Sequence, residues 1–174
     1  VITGDMESYG SEIARIFSEA EIPYFMDMKR NLISNPLVDY IRGSIELIVK
    51  DFSYESVFRV LKNGLCDVDG EDTDVFENYL LALGIRGYKR YSEKFVRKYP
   101  GKTQDLQNIN RIRELFINKV SGFVDEMKNG SGKATDYVRA VYNYMEREGL
   151  YDKVNRLADS YEDGAKADEI RKSY

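Results

Sequence analysis

The chain contains no histidine and a single cysteine, Cys66, in 174 residues. Without histidine, imidazole general acid–base catalysis, histidine metal ligation and Ser-His-Asp triads are excluded within these residues. One thiol excludes an internal disulfide framework and an all-cysteine metal site, and fits a reducing cytosol. No apolar run approaches the roughly 20 residues of a membrane span, and the first residues show no signal-peptide pattern, so a soluble cytoplasmic setting without a membrane is expected. Strong charge imbalance is missing too. Charged residues make up 32% of the chain, yet the net charge is only −4, so nucleic acid or another polyanion would have to be met by a local patch. With 43% hydrophobic residues there is enough apolar material for a real core. The sequence begins in an apolar, strand-like run and ends in a charged helical pattern, which reads as a cut from a longer polypeptide.

What is present reads as mainly helical, with a small α/β piece at the start. Residues 1–3 and 23–26 are expected as two short strands around a first helix whose Ile13, Ile16, Phe17 and Ala20 share a face. Asn35 and Pro36 are placed to cap and open a second helix, within which Gly43 offers room for close packing. Ser53 is placed to cap a third, which Gly64 ends. A fourth, with Val75, Phe76, Tyr79, Leu80 and Leu83, stops at Gly84. Three helices follow: about 103–128, apolar at Leu106, Ile109, Ile112, Phe116, Val120, Phe123 and Met127; 135–148, using Val138, Val141, Tyr142 and Met145; and a last one with Val154, Leu157, Ala158 and Tyr161. The change from mixed α/β to all-helical character puts a boundary near Asp51, giving segments 1–51 and 52–174.

Four stretches carry possible chemistry. In "NGSGKAT" the Gly132-Lys133 pair looks like part of a phosphate-binding P-loop, but Met127 stands where the first glycine is needed and Ala134 where the Mg²⁺-binding hydroxyl is needed. The residues before it have helical, not strand, periodicity, so the stretch is expected to be a helix–helix turn, with Asn129 and Gly130 ending one helix and Thr135 capping the next. The six carboxylates of "DVDGEDTDVFE", residues 67–77, suggest a cation site. An EF-hand loop starting at Asp67 would need glycine where Asp72 stands and glutamate where Asn78 stands, so a solvated turn supporting the next helix N-terminus is the competing reading. Cys66 has no basic neighbour in sequence to activate it.

The fourth stretch, "RGYKRYSEKFVRKYPGK", carries seven basic residues against Glu93. As a helix it would align Arg86, Lys89, Arg90, Lys94 and Arg97 on one face and Tyr88, Tyr91, Phe95 and Tyr99 on the opposite one. Aromatics turned away from the cations are core anchors, which disfavours base stacking. The basic stripe is left either as a solvated face or as a contact for phosphates or an acidic partner. No catalytic, cofactor-binding or metal-binding residues are expected.

The order of "EIPYF" and "NPLVDYIRGSIELI", within residues 1–64, and the later "ENYLLALGIRGYKRY" resemble the AddB family, the B subunits of the ATP-dependent helicase/deoxyribonucleases. In the related UvrD/Rep-type helicases a T/N-x-x-S-x turn after a strand, a helix, a "GIPY" strand and an "EIKDALAYLRLI" helix follow one another in subdomain 2A, before the chain leaves into the helical insert 2B. The resemblance is densest over residues 1–64 and looser after 101. It implies residues 1–51 as a 2A-like piece and 52–174 as a 2B-like helical insert of a subunit that resects DNA double-strand breaks for recombination, with the A subunit and DNA as partners. It also implies that the parent's ATP, Mg²⁺ and iron–sulfur cluster are handled elsewhere, this piece being non-catalytic. Two other readings stand beside it: a free-standing helical interaction module, and a carboxylate–metal enzyme, for which no convergent cluster is evident.

Overall fold

A computed structural model of the chain describes residues 5–26, 35–100, 105–161, 167, 170 and 171. Its described residues form eight helices. The chain divides into two compact units, Val1–Leu32 and Ile33–Tyr174.

In the first unit, α1 (Met6–Glu19) opens at Asp5, whose carboxylate accepts a hydrogen bond from the Ser8 N–H at 3.0 Å. Arg15 bridges Glu12 and Glu19 on its exposed face. Ile13 and Phe17 of the expected apolar face are half-buried, whereas Ile16 and Ala20 are exposed. Residues 23–26 form no strand, and residues 1–3 lie outside the described residues. A strand needs a hydrogen-bonded neighbour, and no strand occurs among the described residues to provide one. Tyr24 instead folds back edge-on to Phe17, ring centres 5.7 Å apart.

The second unit holds the core. In α2 (Pro36–Val49) the Asn35 side chain accepts from the Leu37 and Val38 N–H groups, and Pro36 fills the first turn, where its missing donor costs nothing. α3 (Tyr54–Leu61) is capped by Ser53, as expected. α2 and α3 approach closely at Gly43, where a methyl group would come within 3.2 Å of both Arg59 Cδ and Val60 Cγ2. Between them Asp51 and Phe52 both adopt left-handed backbone, φ 44° and 52°. The turn is closed by the Phe52 N–H donating to the Leu47 carbonyl at 2.7 Å.

α4 (Gly70–Leu83) begins at the cap Asp69 and ends at Gly84 in left-handed conformation. α5 (Tyr88–Ser92) is one short turn. The long α6 (Leu106–Asn129) packs against α4, α5 and α7 (Ala134–Arg147), and α8 (Leu150–Asp159) packs on α7 and α2. Buried rings join these elements: Phe52, Phe76, Tyr91 and Phe116 form one group, and Tyr40, Phe123 and Tyr144 a second.

Two expectations are corrected here. Thr135 does not cap α7: Lys133 holds that place without a side-chain bond, and Asp136 reaches back to the N–H and hydroxyl of Ser131. The buried positions of α7 are Ala140 and Tyr144, not the whole Val138, Val141, Tyr142, Met145 stripe. Val141 and Met145 are half-buried against the core and Val138 and Tyr142 are exposed, because the packing on α6 and α8 is centred on Ala140 and Tyr144.

Candidate nucleic-acid interface

The acidic turn reads differently once its partners are visible. Asp67 Oδ2 lies 2.7 Å from both Lys119 Nζ on α6 and Lys153 Nζ on α8, and the same two ammoniums reach Glu148. Partial burial works against the Asp67 charge, yet the two lysines hold its pKa below the ordinary value. Asp69 caps α4. Asp72 pairs with Arg111 at 2.5 Å, and Glu77 with Lys62 at 2.5 Å and with the Tyr54 hydroxyl. Hydrogen bonds from Arg111 to Asp72, and from Lys62 and Tyr54 to Glu77, depress both carboxyl pKa values. Asp67, Asp72 and Glu77 thus bind cations of the protein itself. Among the described residues no three His, Cys, Asp or Glu side chains gather where a metal ion could be held.

The same lysines correct the reading of Cys66. Lys119 and Lys153, distant in sequence, do act on the thiol, but burial dominates and pushes its pKa up to about 11. A buried, protonated thiol is a poor nucleophile.

The basic stretch is built from the inside. α5 starts at Gly87, φ 89°, which has no side chain to cap it. Asp51, from the α2–α3 turn, takes that part: its Oδ1 accepts from the Tyr88 N–H at 3.1 Å. The expected helix does not continue through residue 97. It stops at Ser92, and residues 94–99 run without regular secondary structure. Asn110 on α6 accounts for this, because its side-chain Oδ1 accepts from the Phe95 N–H at 2.8 Å and its Nδ2 donates to the Phe95 carbonyl at 2.9 Å. Both backbone groups a helix would use at Phe95 are thereby taken. Arg113, 6% exposed, donates to the Tyr91 carbonyl at 3.0 Å and sets its guanidinium 5.9 Å from the Phe95 ring centre. The Tyr79 hydroxyl donates to the Arg97 carbonyl at 2.6 Å.

This clamp turns Tyr91 and Phe95 into the core and leaves Tyr88 and Tyr99 half-buried. Arg86, Lys89, Arg90, Lys94 and Arg97 all stand at the surface. The side-chain separation expected of a helix is thus achieved by a different backbone. A cleft of about 370 Å³ is lined by Arg86, Arg90, Lys94 and Arg97, with Glu93 and an apolar wall that includes Leu83, Ile85 and Val96. A second of about 600 Å³ brings Arg86, Lys89 and Arg90 together with Asp51, Glu93 and Lys128. None of the five candidate side chains makes a hydrogen bond or ion pair among the described residues.

Three contributors escaped sequence reasoning. Lys128 joins the surface from the end of α6, its ammonium 4.7 Å from the Tyr88 ring centre. Asn110 and Arg113 are buried polar residues that interrupt the apolar face marked by Ile109, Ile112 and Phe116. That interruption was the available signal, because a buried polar side chain needs partners.

No protein-family model matches the chain. Among curated relatives, the AddB-type protein of Clostridium novyi, named as the B subunit of the ATP-dependent helicase/deoxyribonuclease, is 40% identical over 156 residues, 90% of this chain. The proteins of the same name from Lachnoclostridium phytofermentans and Clostridium tetani are 33% and 35% identical, each across 98% of it. The matches span only 13–16% of the relatives' own length. Identity at this level along nearly the whole chain, together with the resemblance seen in "EIPYF" and "NPLVDYIRGSIELI", makes the protein a homologue of one segment of AddB, the B subunit of the ATP-dependent helicase/deoxyribonuclease.

Proposed function

We propose that this chain is a non-catalytic helical segment of a cytoplasmic helicase–exonuclease subunit that processes DNA double-strand breaks for recombinational repair. Its tasks are scaffolding, docking toward the A subunit, and holding DNA by its phosphates. Residues 1–51 correspond to a 2A-like piece and 52–174 to a 2B-like insert, while ATP, Mg²⁺ and an iron–sulfur cluster act elsewhere in the parent. The relatives' shared name supports the helicase–nuclease setting.

One observation carries the DNA contact: Arg86, Lys89, Arg90, Lys94 and Arg97 stand at the surface without internal partners among the described residues, whereas Arg59, Lys62, Arg111, Lys119 and Lys153 are ion-paired. A lysine or arginine without an internal counterion can neutralise a phosphate and release the cations condensed there on the DNA, and that release drives sequence-independent binding. With the aromatic rings turned inward, the surface is suited to the backbone rather than to bases.

The test is DNA titration of the full heterodimer at several salt concentrations. Each phosphate contact on duplex contributes about −0.9 to the log–log salt slope, so changing Lys89, Arg90 and Lys94 together to Ala is expected to flatten it by about 2.7. An unchanged slope would assign the stripe to solvent or to domain docking.

A further inference from the structure

α7 has more apolar surface than its neighbours cover. Ala140 and Tyr144 are buried, Val141 and Met145 half-buried, but Val138 is 68% and Tyr142 61% exposed. Val138, Val141, Tyr142 and Met145 recur at i, i+3, i+4 and i+7, so they form one stripe along the helix beside the side that packs on α6 and α8. Such a stripe is the pattern of a buried helix face, and β-branched and aromatic residues are weaker helix formers where packing does not compensate. The N-terminus of α7 has no side-chain cap to offset this.

We infer that the Val138–Val141–Tyr142–Met145 stripe is a docking face for another segment of the same polypeptide, outside these 174 residues, that presents a largely apolar strip. Two arguments select that occupant. The relatives homologous along this chain are about six to eight times longer, as its 13–16% share of their length requires, so most of such a polypeptide lies elsewhere. The stripe is also small, on the order of 400 Å² from ordinary side-chain areas, well below the roughly 800 Å² per partner of a stable independent interface. A separate chain must overcome about 4–15 kcal/mol of lost translational and rotational freedom on binding. A tethered segment meets the stripe at a high effective concentration and avoids most of that cost. The flanking charges, Arg139 and Glu146, are one of each sign and both exposed, which favours a neutral apolar strip over a charged one. The inference is independent of any DNA contact.

Hydroxyl-radical footprinting of the full-length protein tests it, reading oxidation of Val138, Tyr142 and Met145 against the same protein unfolded in urea. Covered by its own polypeptide, the stripe is expected to be protected several-fold, equally at all protein concentrations and without the A subunit. Val138→Asp and Tyr142→Asp should each restore oxidation at Met145. Protection of Tyr142 below about twofold, which is all that 61% exposure allows, would overturn the inference. So would protection that appears only on adding the A subunit, or only as concentration rises toward self-association.

Discussion

Two charged stretches lie close together in sequence and behave as opposites. In residues 67–77, Asp67, Asp69, Asp72 and Glu77 are each bound to a lysine, an arginine or a helix N-terminus. In residues 86–97, Arg86, Lys89, Arg90, Lys94 and Arg97 have no internal partner among the described residues. Both are dense runs of one sign, yet the acidic run is part of the structure and the basic run is left available. A charge cluster acquires its meaning from what folding places opposite it: Lys119 and Lys153 come to Asp67 from remote helices, and among the described residues no carboxylate is brought to the five cations in the same way.

The largest effect should come from removing the support beneath the basic run. Asn110→Ala leaves the buried N–H and carbonyl of Phe95 unpaired, at about 1–3 kcal/mol per group, and urea unfolding should register a loss of about 3 kcal/mol. A loss under about 0.5 kcal/mol would mean that water replaces the amide. Next comes the acidic run. Asp67→Asn should cost about 1 kcal/mol near neutral pH, a modest figure because half of the Asp67 side chain is open to solvent. Its lowered pKa means that this stabilisation is present above the ordinary carboxylate value and fades as pH falls through the folded one. Wild type and Asp67→Asn should therefore begin to converge at about pH 4 and meet only below the lowered folded pKa, and parallel curves would show that Asp67 is not the titrating group. The smallest effect is expected where no internal partner exists: Lys89, Arg90 and Lys94 changed together to Ala should alter stability by less than about 0.5 kcal/mol. A larger loss would reveal a structural part for the stripe and collapse the contrast.

Helix ends were legible in the sequence because caps are local. Asn35 with Pro36, Ser53 and Gly84 stand where neighbouring residues alone require them, whereas α3 closes at Lys62, two residues before the glycine expected to end it. The apolar ladder of α6 was legible for the same reason. What failed to show was everything decided by contact at a distance. Local periodicity favours a helix through Phe95, but one amide from Asn110 outcompetes it. Val138 and Tyr142 have the pattern of core residues and stand exposed. Cys66 has no basic neighbour in sequence and two in space. At the candidate site the five cations were recognisable from composition, whereas Lys128, Asn110 and Arg113 required the fold.

The cap that Asp51 supplies to α5 has a consequence for the order of folding. A five-residue helix lies far below the length at which a helix sustains itself in water. α5 cannot precede the left-handed turn at Asp51 and Phe52, and the irregular run after it waits for Asn110 and Arg113, which follow it in the chain. During synthesis the basic residues therefore leave the ribosome before the helix that aligns them. The cationic surface is a late product of folding, and its assembly reports that α2, α3 and α6 are already in place.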